Sequence, residues 1–517
     1  MCNPIHIVWF KRDLRTIDHA ALTAACNAGA VLPLFVWEPT VWAGEDYATQ
    51  HALFIKECLA ELNAALQGLG LQLIESSMGI IEVLARIQQQ HTIAALYSHE
   101  ETGNNNTFLV DKAVAKWCKA HHVAWLELPQ NGVVRRLKNR DNWTAHWEKR
   151  MRQPQFVLPQ HICAASPIML PNVKIPTQGA DKLQRQQGGR SHGLALLKSF
   201  LNGRASRYRG GISSPINAAT AGSRISPYLA WGALSMREVL QAARAQLALI
   251  ADAPQPYPRG LAAGITGFES RLHWHCHFMQ KLESEPTLEY NNMHHVHDAM
   301  RDEELTDELS QRRFLTWCTG QTGWPLVDAC MAMLRATGWV NFRMRAMLMS
   351  TASYLYWLHW RKTGLHLARE FLDYEPGIHW SQAQMQSGTT GINTLRIYNP
   401  IKQAMDQDPE GAFVRHWLPS LRQVPNTWIF EPWLMPEYLQ IKYGCVIGRD
   451  YPAPLVDIKT AIKEARSRIS QTRKAQNTIQ ETAAIIKKHA SRKITSKSPK
   501  NTQSKRSKVS PLQQQLF

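Results

Sequence analysis

Over the first 130 residues, short apolar runs alternate with amphipathic stretches. IHIVWF (5–10), AVLPLFVW (30–37), LQLIES (71–76), IAALYSH (93–99) and VAWLELP (123–129) have the length and composition of buried strands. Between them, ALTAACNAG, HALFIKECLAELNAALQGLG, IIEVLARIQQQ and LVDKAVAKWCKAHH carry apolar residues at helical period. Strands that alternate with helices need crossover connections, which are right-handed, and the pattern predicts a parallel sheet. No G-x-G-x-x-G follows the first strand; KRDLRTIDHAAL stands in its place, which removes the usual dinucleotide cradle.

After residue 195 the strand pattern does not return. ALLKSFLNG, YLAWGALSMREVLQAARAQLALI, RLHWHCHFMQKLE, RRFLTWCTG, PLVDACMAMLRATG, RMRAMLMSTASYLYWLHWRKTG and HLAREFLDY all have helical period, many ending near Gly or Asn. The expected fold class is therefore α/β: an N-terminal parallel-sheet domain (1–130), a long Pro-rich linker (131–195), and a mostly α-helical domain (196–458). Beyond it lies a basic tail (459–517), which begins with helical period in KTAIKEARSRISQTRK. It ends in SKSPKNTQSKRSKVSP, whose low apolar content predicts disorder.

Charge sharpens this division. Residues 456–517 hold 15 Lys and Arg against 3 Asp and Glu, whereas the other 455 residues hold 44 against 38. A tail of this kind attracts a polyphosphate without reading its sequence, or is simply solvated. The nine cysteines include no C-x-x-C pair, which argues against a zinc ribbon or a disulfide framework and fits reduced thiols in a cytoplasm. With no charged leader and no long uncharged apolar run, a cytoplasmic protein without a membrane span is expected. Eighteen tryptophans are explained either by a large aromatic core or by stacking on a ligand.

Within WVNFRMRAM (339–347) two arginines sit in an apolar run, and a buried guanidinium requires an anionic partner. Residues 343 and 345 lie about 200° apart on a helix, so only one is expected to face a given cleft. HWHCHF (273–278) and MHHVH (293–297) are His-rich, but His at i and i+2 diverge on a helix and no metal is expected.

WFKRDLRTIDHAAL, SRISPYLAWGALS, TGWPLVDACMAMLRATGW, RIYNP and DYPAPLVD, in this order, resemble the cryptochrome/photolyase family from residue 5 to about 470. The resemblance implies an α/β domain, a long linker and a helical domain that holds FAD. It places Tyr208, Gly222, Ser223, Arg224, Ile225 and Ser226 around the flavin phosphates, where small residues and hydroxyls suit a pyrophosphate. It also implies Trp274 and Asn341 as cofactor contacts, an Arg345–Asp373 pair beside the flavin ring, and Glu375 as a further contact. Plainer readings are a helix start with Pro at its first turn for SRISPY, and an ion pair tying two helices for Arg345–Asp373. Trp360 matches the middle member of the family's electron-transfer relay, Trp380 lies one position off the inner member, and the outer position falls on Asp307.

Other positions depart from the family pattern. Arg271 stands three residues before Trp274, where dimer photolyases carry a glutamate. GIHWSQAQMQSGTTGIN replaces a GGWQW-like segment, leaving His379 as the nearest residue to flavin N5. NNNT (104–107) replaces an antenna-site glutamate, so a second antenna chromophore stays unidentified. After residue 340 only Cys445 remains, too few thiols for the iron–sulfur cluster of some branches.

The implied function is light-driven repair of DNA, with electron transfer from photoexcited reduced FAD to a flipped pyrimidine photoproduct. A cryptochrome-type blue-light photoreceptor signalling through a partner is the alternative. Finally, QQQLF resembles the peptide with which bacterial repair proteins dock in the sliding clamp, Gln513 at the rim and Leu516 and Phe517 in the pocket.

Overall fold

The computed structural model describes residues 4–166, 168–171, 173–252, 257–474 and 479–490. Five strands, β1 (Ile5–Phe10), β2 (Ala30–Val36), β3 (Ile74–Ser76), β4 (Ile93–His99) and β5 (Ala124–Leu128), form a parallel sheet in the order β3-β2-β1-β4-β5. These are the five runs expected from the sequence, with the second, third and fifth trimmed at their ends. Helices Ala20–Ala28, Thr49–Gln67, Ile80–Gln90 and Asn105–Ala120 cover the two faces and bury them in separate apolar clusters. β1 and β2 lie between two helical layers, which is why they read as continuous apolar runs rather than alternating ones.

The strand order reverses around β1, so the loop at its carboxyl end sits at the topological switch point, where α/β sheets commonly bind a ligand. Here that loop, KRDLR, is spent on internal contacts. Asp13 accepts from the Lys11 backbone N–H at 2.6 Å and from His99 Nδ1 at 2.6 Å, and lies 3.1 Å from His19 Nε2. His19 Nδ1 accepts from the Leu22 N–H at 2.9 Å, so its proton is on Nε2, facing Asp13. Burial holds both imidazoles neutral, and the trio forms a buried polar knot at the carboxyl end of the central strand. Arg15 donates to the carbonyls of Gly232 (2.8 Å) and Asp18 (3.2 Å). Gly232, at φ +66°, lies so close to the Arg12 carbonyl that a side chain would collide with it, and here the helical domain meets the sheet.

The linker is less irregular than its prolines predict. Trp143–Arg152 is a helix that buries Trp143, Trp147 and Met151, and a second helix, Arg190–Asn202, begins before residue 196. Tryptophan packing outweighs the scattered prolines because burying two indoles removes much apolar area from water.

The rest is helical, built around the 24-residue helix Leu261–Ser284 and the helices Pro325–Thr337, Phe342–Ser350, Trp360–Glu370 and Pro376–Ser387. Six of the largest fully buried side chains are tryptophans: Trp37, Trp143, Trp317, Trp324, Trp360 and Trp380. Their main service is to the core.

The tail also needs correction. Ile458–Lys474 and Ile479–His489 are both helices. Ala465 and Ile469 pack against Tyr354, and Ile485 packs against Leu282, Leu288 and Met293, so the first helix is the one expected from KTAIKEARSRISQTRK, and the second lies within the stretch expected to be largely disordered. Few apolar residues suffice because each drops into a preformed groove. Residues 491–517, with Gln513, Leu516 and Phe517, lie outside the described residues. No described helix is long and apolar enough to cross a membrane.

Candidate functional site

A cavity of about 570 Å³ opens in the helical domain, a size typical of cofactor sites. One wall is a stripe of the Leu261–Ser284 helix (Gly267, Ser270, Arg271, Trp274, His275 and Phe278), spaced at three and four residues. The alternate histidines of HWHCHF turn away. His273 packs edge-on against Trp143 and Trp147, and Nδ1 of His277 lies 2.8 Å from Arg140 Nη2. This divergence is what the i, i+2 spacing predicts.

Of the eleven residues expected around a flavin, ten line this cavity: Tyr208, Gly222, Ser223, Arg224, Ser226, Trp274, Asn341, Arg345, Asp373 and Glu375. Ile225 does not. It is buried at 1 % exposure in the apolar cluster beneath the loop, where the turn made by the left-handed Arg224 leaves it packed in the core. Arg224 has a left-handed backbone (φ +64°), and its guanidinium stacks on Trp339 at 3.7 Å. Its buried Nη1 has no hydrogen-bond partner, and burial pulls the group down to about 10. The expected helix start is present at Ser226–Ala230, with Pro227 in its first turn. No side chain caps it; the Ser226 hydroxyl instead supports the Asp373 carboxylate.

Arg345 pairs with Asp373 through two contacts of 3.0 Å, one from each terminal nitrogen, and its Nε donates to the Val340 carbonyl at 2.8 Å. Burial alone would raise the Asp373 carboxyl. Arg345, Ser226 and Arg224 outweigh it and hold the group below the ordinary carboxylate range. Arg343 also lines the cavity, contrary to the expectation that only one of the two arginines could. The helix starts at Phe342, so Arg343 lies in its first turn and reaches the mouth, whereas Arg345 lies along the wall. Asn341 donates from Nδ2 to the carbonyls of Ile212 (2.9 Å) and Ser213 (3.0 Å), pinning the loop that closes one side.

One residue of the wall, His275, was not foreseen as a cavity group. His275 is buried with an unpartnered Nδ1, and desolvation lowers it to about 4. His379 lines the cavity as expected, with Nε2 spent on the Gly364 carbonyl at 2.8 Å; burial lowers it too to about 4. A signal for His275 existed, since it stands eight residues after Gly267 on the same helical stripe.

Trp360 and Trp380 do not line the cavity. They form a buried pair behind it, with rings 5.9 Å apart and nearly perpendicular. Trp380 follows the wall residue His379, whose ring lies 4.9 Å from it, and Trp360 Nε1 donates to Asn292 at 2.8 Å. Asp307 is exposed and caps the Glu308–Thr319 helix. Trp357 lies beneath the helix Ile458–Lys474, its ring 4.9 Å from the Arg468 guanidinium. In NNNT, Asn104 caps the Asn105–Ala120 helix and donates to Asp46 at 2.7 Å.

The cavity fits an anionic dinucleotide. Small residues and hydroxyls occupy one end, and two lining residues, Arg224 and His275, each keep a buried nitrogen without a hydrogen-bond partner. Five arginines (Arg209, Arg224, Arg271, Arg343 and Arg345) oppose two carboxylates. Comparison with known proteins agrees. Residues 6–141 match the family model described as DNA photolyase, and residues 268–471 match the FAD binding domain of DNA photolyase. The chain belongs to the cryptochrome/DNA photolyase family. It is 29 % identical over 485 residues to the deoxyribodipyrimidine photo-lyase of Salmonella typhimurium, covering 89 % of this chain and 97 % of that protein. It is 28 % identical over 508 residues to cryptochrome-2 of Arabidopsis thaliana, covering 91 % and 79 %. The solved cryptochrome of Synechocystis sp. PCC6803 shares the fold with a TM-score of 0.80 at 23 % identity, covering 90 % of this chain and 99 % of that one. This family member thus combines a photolyase-type α/β domain with an FAD-binding helical domain.

Proposed function

We propose that this protein is a light-driven DNA photolyase that acts on a pyrimidine photoproduct turned out of the duplex. The observation that carries the reading is the excess of arginine over carboxylate in a cavity that reaches the surface at the exposed Arg209. A polyphosphate strand meets this positive mouth, and a base that damage has already unstacked costs less to turn inward. FAD, when bound, supplies light absorption and one-electron chemistry. The protein supplies placement: Tyr208, Gly222, Ser223, Arg224 and Ser226 hold the phosphate end, while Trp274, Asn341, Arg345, Asp373 and Glu375 surround the ring end. Water is kept out by Trp274, Phe278 and Phe371 along the apolar walls. The test is illumination of the purified, flavin-loaded protein with oligonucleotides carrying either a cyclobutane dimer or a (6-4) product. Repair of one supports the reading, and repair of neither rejects it.

The second reading, a cryptochrome-type photoreceptor, has one observation of its own. The helices Ile458–Lys474 and Ile479–His489 dock on the helical domain, with Arg468 over Trp357, and so offer a segment whose release a partner can sense. Light-dependent proteolytic exposure of this segment without repair of either lesion would favour it.

Trp380 and Trp360 are assigned as the path by which electrons reach the cavity from outside. Trp360→Phe is expected to slow photoreduction of bound flavin strongly while leaving flavin content unchanged. The flavin absorption under blue light with an external donor reads both.

We also infer that Gln513, Leu516 and Phe517 dock in a sliding clamp. Two adjacent apolar side chains, each stabilising by roughly 1.5–3 kcal/mol when buried, support micromolar affinity at most once ordering is opposed. A labelled PLQQQLF peptide is expected to bind purified clamp, and its Leu516→Ala/Phe517→Ala counterpart is not. Equal binding by both, or by neither, ends the idea.

A further inference from the structure

The cavity wall from Arg369 to Glu375 is held from behind by the α/β domain. Gln50 Nε2 donates to the Arg369 carbonyl at 2.6 Å, and His51 Nε2 lies 2.8 Å from the Phe371 carbonyl. His51 Nδ1 accepts from the Ala48 N–H at 3.0 Å, so the proton on Nε2 makes that second contact a donation. The Tyr374 hydroxyl donates to Asp46 at 2.7 Å. The fourth contact is an ion pair: Arg12 Nη1 donates to Glu375 Oε2 at 3.1 Å, with both side chains under a tenth exposed. Arg12 belongs to the KRDLR loop at the switch point of the sheet, and its guanidinium is stacked on Trp231 at 4.6 Å. Glu375 lines the cavity, and its other oxygen, Oε1, is buried without a hydrogen-bond partner.

An unpartnered carboxylate oxygen in a cofactor cavity demands a donor from whatever fills it. We propose that Arg12 is a positioning residue for the cofactor cavity: carried across the domain boundary, it keeps the Glu375 carboxyl ionised, leaving Oε1 as the acceptor for an N–H of the bound flavin. The inference rests on the reading of this cavity as the FAD site. The charged and titratable groups facing Glu375 are Arg12, Glu101 and Cys276, with Tyr47 beside Arg12 and the Gly377 N–H near the carboxyl. Burial and Glu101 raise the Glu375 carboxyl; Arg12 is the cation that opposes them. The net shift is upward, so the acceptor is lost as pH falls through a value above the ordinary glutamate range. Asp373 is held below the ordinary carboxylate range, and burial lowers His275 and His379, so these groups shift in the opposite direction from Glu375.

The experiment is FAD titration of the full-length protein between pH 5 and 9, followed by flavin fluorescence, with folding checked by circular dichroism. The wild type is expected to show an acidic limb of weakening affinity, about fivefold or more, as an acceptor is lost. Glu375→Gln should abolish that limb. Arg12→Met should move it toward neutral pH, and Arg12→Lys should hold it near the wild-type position. A limb that persists in Glu375→Gln, or that does not move in folded Arg12→Met, overturns the proposal. Should Arg12→Met fail to fold, Glu375→Gln and Arg12→Lys decide: a lost limb in the first and a retained one in the second support the proposal, and any other pair overturns it. No FAD binding by the wild type at any pH would instead reject the cofactor reading of the cavity, and this inference with it.

Discussion

Arg345→Ala is expected to yield protein that has lost most of its FAD, or cannot keep it reduced. The pair it breaks combines one hydrogen bond with a second close ion contact, and Asp373 is almost fully buried, so removing the guanidinium leaves the carboxylate with only the Ser226 hydroxyl and the more distant charge of Arg224. Breaking a buried pair costs roughly 3–5 kcal/mol; Arg345 is 23 % exposed, which places the expectation at the lower end, about 3 kcal/mol. The sign of the pH dependence follows from the depressed Asp373 carboxyl. Its contribution to stability is full above the ordinary aspartate range and is lost as pH falls through the lower native value. The wild type should therefore lose stability on acidification more steeply than Arg345→Ala, a difference that denaturant unfolding at pH 7 and pH 3 measures. Normal flavin content together with normal photoreduction in the variant would reject the pairing.

The second large effect concerns the tail, and the fold changes how it must be tested. Removing everything from 459 onward would strip the helix whose Ala465 and Ile469 cover Tyr354, as well as the helix whose Ile485 covers Leu282 and Met293. It would also leave Glu285 without Lys488 and His489, which lie 2.9 and 2.5 Å from it. Uncovering these side chains costs a few kcal/mol, at about 25 cal/mol per Å² of apolar surface. Truncation after residue 490 avoids this and still removes seven Lys and Arg with no acidic residue. That shorter truncation is expected to flatten the slope of log K against log salt for DNA binding, by about 0.9 for each phosphate that the tail no longer neutralises. Repair of bound lesions should continue. An unchanged slope would mean that residues 491–517 do not touch DNA.

Much of the architecture was legible in the chain because it depends on local pattern. The five strands and their helices followed from apolar period, and a parallel sheet followed from their alternation. Ten cavity residues were reached from motifs whose spacing the family shares, and the divergence of His273 and His277 from the wall followed from helical geometry. Each of these needs only the repeat of a strand or helix, or a short run of residues, to be read correctly.

What local pattern could not decide was which distant surfaces meet. Ile225 sits among motif residues, yet its side chain turns into the core, because the loop's orientation is set by the apolar cluster beneath it. Arg343 joins the cavity because the helix begins one residue before it, a boundary that packing sets. The linker helix Trp143–Arg152 and the docked helices Ile458–Lys474 and Ile479–His489 are stabilised by contacts with residues far away in the chain. The Arg12–Glu375 contact spans 363 residues. Period and composition describe one element at a time, whereas desolvation and ion pairing act between elements. The sequence by itself therefore determined the elements and ten of the residues that line the cavity, and only the tertiary structure decided which charges face each other across the domain boundary.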